Sequence, residues 1–99
     1  MYIIKVVKVS FITTVLNEAE NIEKFLKSVI NQSRKADEII IADGNSTDTT
    51  VERIKNYELR IKKSGIKFNL FVKKGNRAVG RNEAIKNSSN EIIICSDAG

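Results

Sequence analysis

Short β-branched runs alternating with helical stripes constrain this chain more than any other feature. Val6 to Thr13 reads as a strand. Ile22, Phe25, Leu26, Val29 and Ile30 then recur at i, i+3, i+4, i+7 and i+8, the single buried stripe of an amphipathic helix. Asn17 and Glu20 have capping-box spacing, so this helix is expected to begin at Asn17 and to end near Gln32-Ser33. Glu38 leads into Ile39 to Ala42, a continuous apolar run that suits a strand buried on both faces.

The turn formers Asp43-Gly44-Asn45-Ser46-Thr47-Asp48 follow, and Ser46 or Thr47 is expected to cap a second helix. Its inner face would be Val51, Ile54, Tyr57 or Glu58, and Ile61, with Gly65 as a left-handed C-terminal cap. Ile66 to Val72 reads as a third strand. After the basic turn Lys73-Lys74-Gly75-Asn76-Arg77, a short helix from Ala78 to Asn87 is expected to carry Val79 and Ile85 inward. Glu91 to Ser96 is a fourth strand, and the sequence stops at Asp97-Ala98-Gly99. Strict alternation of this kind makes right-handed crossovers, hence an α/β fold in three layers with a mainly parallel four-stranded sheet.

Length and composition narrow the function. A chain of 99 residues is one domain, here 1–99. It has no histidine, which excludes Cys/His zinc sites and Ser-His-Asp triads. The single cysteine, Cys95, excludes an internal disulfide and fits a reducing, cytoplasmic compartment. The longest apolar runs are four residues, so no membrane segment and no signal peptide are read. The net charge of +5 suits an anionic ligand, but the lysines are scattered as on a solvated surface. With aromatics at 6% and no basic helix between them, nucleic acid is not expected as a partner. Neither GxGxxG nor GxxxxGK[ST] is present.

Ligands of open α/β sheets bind outside the carboxyl ends of the strands. Those ends carry Thr13, Thr14, Asn17 and Glu18, then Asp43, Asn45 and Ser46, then Gly75, Asn76 and Arg77, and lastly Asp97. Three of the four ends hold an acid. Each residue also has a plain structural use: Asn17 as a helix cap, Glu18 as a first-turn acid, Ser46 and Asp48 as turn and cap chemistry, and Gly75 to Arg77 as a loop. Their shared location, more than any one of them, points to a site.

Four strings carry a resemblance: Thr13 to Ile22 (TTVLNEAENI), Glu38 to Asp48 (EIIIADGNSTD), Gly80 to Ile85 (GRNEAI), and Glu91-Ile92-Ile93 with Asp97. Together, from about Val9 to Gly99, they resemble the inverting glycosyltransferases of family two, which share the GT-A fold. The resemblance implies the N-terminal, sugar-nucleotide-binding half of a longer transferase. Its donor would be a nucleotide diphosphate sugar, UDP- or GDP-linked, and the strand order would be three-two-one-four. Thr14 to Glu18, including Leu16, would lie against base and ribose. Asp43 would accept from the base edge, with Ser46 beside it, and Asn76 to Asn82, including Arg77, would flank the sugar nucleotide. Asp97 would match the first acid of Asp-x-Asp, serving the ribose and a Mg²⁺ or Mn²⁺ ion.

The sequence departs from the family pattern in three places. Thr14 and Leu16 stand where Pro and Tyr are common. Gly99 replaces the second acid of Asp-x-Asp. The family's catalytic base lies in a segment later than this chain, so the 99 residues alone are expected to be inactive. A full-length form could be membrane-associated, and the apolar fourth strand, left at a sheet edge, is expected to favour a homo-oligomer. The competing reading is a non-catalytic α/β module that binds a nucleotide or a protein.

Overall fold

The computed structural model describes residues 7–32 and 34–97. Seven elements alternate: β1 (Val9–Val15), α1 (Ile22–Ile30), β2 (Glu38–Asp43), α2 (Thr50–Lys63), β3 (Lys67–Val72), α3 (Arg77–Asn87) and β4 (Ile92–Asp97). All strand pairs are parallel and the order is β3-β2-β1-β4, so the expected order is observed. Helices cover both faces, which makes three layers.

The pleat divides the core in two. Phe11 and Val15 of β1 and Ile39 and Ile41 of β2 face α1 and α2, meeting Ile22, Leu26, Val29, Ile54 and Ile61. Ile12, Ile40 and Ala42 point the other way and meet Ala84 of α3. β2 therefore buries every residue, as its unbroken apolar run predicts. Each fully buried isoleucine contributes about 2 kcal/mol. At the amino end of the sheet Glu38 is also buried. Its carboxylate accepts from Ser10 Oγ (2.8 Å), Ser89 N (3.2 Å) and Ser89 Oγ (3.1 Å), tying β2 to β1 and to the turn before β4.

Several local expectations are corrected. The first strand starts at Val9 and runs on to Val15; Val6 lies outside the described residues. α1 does not begin at Asn17. It begins at Ile22, behind Asn21, because Asn17 takes a left-handed φ of 51° and the next residues form a turn in which Asn21 N and Ile22 N donate to Glu18 O. It ends at Ile30, and Ser33 lies outside the described residues. Neither Ser46 nor Thr47 caps α2, which begins at Thr50; Asp48 Oδ1 accepts from Thr50 N (2.9 Å) instead.

On α2, Ile54 and Ile61 are buried as expected, and Tyr57 packs at the margin of the core. Gly65 is left-handed at φ 80°, and the Gly65 N–H to Lys62 O and Ile66 N–H to Ile61 O bonds close the helix.

The inward face of α3 differs most from expectation. Val79 and Ile85 are exposed, and Gly80 and Ala84 are buried. A Cβ on Gly80 would lie 3.3 Å from Thr14 Cγ2 and 3.4 Å from Ala42 Cβ. Small residues four apart let this helix approach the sheet at a distance that larger residues would prevent. That approach brings the amino end of α3 over the carboxyl ends of β1 and β2, where the site lies.

Candidate functional site

The loops after β1 and β2 are locked together. Asn17 Oδ1 accepts from Thr47 N (2.8 Å) and Asp48 N (3.3 Å), and Asn17 N donates to Ser46 Oγ (2.9 Å). Ser46 Oγ in turn donates to Asp43 Oδ1 (2.6 Å), while Asp43 Oδ2 accepts from Asn45 N (3.1 Å) and Ser46 N (3.0 Å). Thr50 Oγ1 accepts from Glu18 N (2.9 Å) and donates to Asp48, whose other oxygen accepts from Ala19 N (3.3 Å). The Thr50 hydroxyl bond holds the Asp48 carboxyl below its ordinary 3.8, burial acting in the opposite direction. The Asn-Glu-Ala and Asp-Gly-x-Ser-Thr-Asp strings thus grip each other across about thirty residues of chain.

Beside this clamp lies a cavity of about 310 Å³, lined by Thr14, Leu16 and Glu18, by Ala42 and Gly44, and by Lys73, Gly75, Asn76, Arg77 and Gly80, with Val15 beneath. Its size falls in the range of small-molecule sites. Six of the residues singled out in the sequence therefore share one wall or another: Thr14, Leu16, Glu18, Gly75, Asn76 and Arg77. Asp43 and Ser46 are not on the wall. Asp43 is only 1% exposed, and its carboxylate is engaged in shaping the second loop. Asp97 ends β4 as the register partner of Thr14, so its backbone reaches the same edge.

Asn76 is both a wall residue and the side-chain cap of α3, accepting from Val79 N (3.1 Å). Gly75, at φ 138°, makes the bend before it. Sequence reasoning missed Lys73, Ala42 and Gly44 as wall residues, whereas Gly80 falls within the Asn76 to Asn82 segment that the resemblance sets beside the sugar nucleotide. Lys73 was visible as part of a basic turn. Lys73 is positioned by its own N–H, which donates to Asp43 O (2.8 Å) where β3 ends.

The residues present place two cations, an amide-rich helix start and a carboxylate around one cavity, a set that suits a phosphate-bearing ligand. Among the described residues no three His, Cys, Asp or Glu side chains cluster to hold a metal. One acid with phosphate oxygens and water nonetheless meets the ordinary needs of Mg²⁺.

A parallel α/β sheet with such a cavity at its carboxyl edge places the chain in the open α/β class, whose ligands bind at that edge. The chain belongs to glycosyl transferase family 2, whose sequence profile matches residues 10–98. It is 38% identical over 91 residues to the poly-beta-1,6-N-acetyl-D-glucosamine synthase of Staphylococcus epidermidis, covering 91% of this chain and 21% of the synthase. It is 34% identical over 95 residues to the poly(ribitol-phosphate) beta-N-acetylglucosaminyltransferase TarP of Staphylococcus aureus, covering 92% of this chain and 28% of TarP.

Among solved structures, the Pyrobaculum calidifontis mannosyltransferase PcManGT, in complex with GDP-Man and Mn²⁺, matches with a TM-score of 0.79 at 26% identity, over 92% of this chain and 27% of that one. S. aureus TarS matches with a TM-score of 0.78 at 23% identity, over 92% and 27%, and shows the shared fold. The chain thus spans about a quarter of the length of such relatives. No helix among the described residues is long and apolar enough to cross a membrane.

Proposed function

We propose that residues 1–99 are the N-terminal, donor-binding part of a longer family-two glycosyltransferase, and that the cavity holds a nucleotide diphosphate sugar. The observation that carries this reading is the convergence of Thr14, Leu16, Glu18, Asn76 and Arg77, from two distant parts of the chain, on one cavity at the carboxyl edge. Membership of the family and the complexes of similar proteins with UDP and with GDP-Man support it.

In this reading Thr14, Leu16 and Glu18 lie against the nucleoside. Asp43, held by Asn45 and Ser46, shapes the second loop against which the base lies. Asn76 orients the start of α3, and Arg77 and Lys73 attract the diphosphate. Asp97 would hold a Mg²⁺ or Mn²⁺ ion, together with diphosphate oxygens and water. Such an ion supplies charge neutralisation of the leaving diphosphate. The base that deprotonates the acceptor hydroxyl, and the acceptor pocket itself, belong to the remainder of the enzyme, which would transfer the sugar with inversion. The exposed Cys95 thiol suits a reducing, cytoplasmic surface.

Calorimetric titration with UDP and GDP, with and without Mn²⁺, tests the proposal. Binding of at least one nucleotide is expected below millimolar concentration. Lys73→Ala should weaken it about 3- to 10-fold, and added salt should shrink that difference. Lys73 is the informative position, because an Asp43 variant would also disorganise the loop. No binding of either nucleotide at millimolar concentration overturns the reading.

A further inference from the structure

Helices α1 and α2 lie side by side on one face of the sheet, and a second cavity of about 190 Å³ opens between them. Lys27, Ile30 and Asn31 line it from the end of α1, and Tyr57 and Arg60 from the second half of α2. It shares no residue with the cavity at the carboxyl edge. Helices that connect parallel strands lead back from the carboxyl edge to the amino edge, so these residues lie toward the other end of the sheet. No carboxylate is among the lining residues. On α2, Arg53 and Lys62 meet Glu23 (4.0 Å) and Glu58 (3.4 Å), whereas Lys27 and Arg60 have no ion-pair partner among the described residues. Arg60 is held instead over the Tyr57 ring, 5.0 Å from its centroid. Stacking occupies the face of a guanidinium and leaves its in-plane N–H donors for an anion. A cation in the last turn of a helix also has an ordinary use beside the exposed carbonyls, and both Lys27 and Arg60 stand there. That use explains neither the stacking of Arg60 nor the cavity that both cations border.

We propose that this cavity is a second ligand site, which takes a phosphomonoester of a small apolar or aromatic molecule. Charge selects the phosphate. A phosphomonoester carries about −1.5 to −2 at neutral pH, which two cations match and one carboxylate would not. Arg60 can meet two phosphate oxygens at once, and Lys27 supplies a point charge. Asn31 adds an amide donor. Ile30 and Tyr57 give the wall an apolar part for the organic body of the ester. Size selects against a nucleotide, because the cavity is smaller than the roughly 300–1,000 Å³ of sites for larger ligands. The inference does not depend on the nucleotide reading of the other cavity.

Titration of the isotope-labelled chain with phenyl phosphate, followed by NMR, tests the site. Saturable shifts are expected at Lys27, Asn31, Tyr57 and Arg60, with a Kd below about 10 mM. Phenol and inorganic phosphate, the two fragments of the probe, should bind more weakly than the ester. Arg60→Gln and Lys27→Gln, both at exposed positions, should each weaken the ester about 3- to 10-fold. Lys55→Gln removes an exposed cation of α2 that does not line the cavity, and should bind within about twofold of wild type. An equal loss in Lys55→Gln overturns the proposal, since general charge would then account for the binding. Equal affinity for the ester and for either fragment overturns it too. Shifts confined to Thr14, Gly75 and Asn76 would place the phosphate at the carboxyl edge and also overturn it, as would no shift at 10 mM phenyl phosphate, a ceiling of about the expected Kd.

Discussion

Two strands of this protein are nearly the same in sequence and opposite in environment. Glu38-Ile39-Ile40-Ile41-Ala42-Asp43 makes β2, and Glu91-Ile92-Ile93-Ile94-Cys95-Ser96 spans most of β4. The isoleucines of β2 are at most 1% exposed, whereas Ile92, Ile93 and Ile94 are 44%, 36% and 47% exposed. β2 is flanked by β1 and β3, and both of its faces meet helices. Among the described residues β4 has one strand neighbour, β1, and stands at an edge of the sheet. An apolar β-branched run therefore specifies an extended segment, and its place in the sheet decides how much of it leaves water. The preceding glutamates differ in the same way. Glu38 is buried and accepts from Ser10 and Ser89, while Glu91 is exposed.

The largest difference should appear on truncating equivalent isoleucines. Ile40→Ala removes a fully buried side chain between β2 and α3 and should cost about 3–4 kcal/mol. Ile93→Ala, at the corresponding place in β4, should cost less than about 1 kcal/mol. Urea unfolding of both variants measures the contrast, and equal losses would break it.

A smaller effect is expected on association. We propose that the apolar edge of β4 pairs copies of this chain with each other. Ile94→Lys places a charge on that edge, in the manner by which natural edge strands resist pairing. Light scattering at high concentration should then show less self-association than in wild type, with the folded signal unchanged. A monomeric wild-type particle would remove the edge from consideration as a sticky surface.

The smallest effect concerns how β2 is moored. Asp37 Oδ2, just before β2, accepts from Val9 N (2.8 Å) and from the Arg34 guanidinium (3.1 Å). The Val9 bond, followed by the Arg34 contact, holds this carboxyl below its ordinary 3.8 against the opposing influence of burial. A carboxyl lowered on folding stabilises the protein above its unfolded value. That contribution disappears as pH falls below about 4 and the folded group takes up its proton. Asp48 behaves alike. Melting temperature should thus decline between about pH 5 and 3, and Asp37→Asn should flatten part of the decline.

Much of this architecture is legible in the chain because its signals are local. The helical stripe from Ile22 to Ile30 and the left-handed cap at Gly65 follow from spacing and from glycine's freedom. Thr14, Leu16, Glu18, Asn76 and Arg77 could be gathered at one edge because parallel strands put all their carboxyl ends together. The misplacements have a common cause. Asn17 has the composition of a cap for its own helix, but its amide finds backbone donors at Thr47 and Asp48, about thirty residues further on. Val79 and Ile85 look like an inner face, but α3 turns its small residues to the sheet. In each case a partner distant in sequence, or a competing local bond, wins over the first choice that composition suggests.

Sequence alone determined the kind of molecule this is. The strand–helix alternation and the motif strings settle a parallel α/β domain of glycosyl transferase family 2, because period and turn chemistry act over a few residues. Tertiary structure decided which isoleucines became core, which polar side chains became a clamp between loops, and which were left facing a cavity. Those outcomes depend on neighbours brought in from distant parts of the chain, and hydrogen bonding and burial take effect only once such neighbours are in contact.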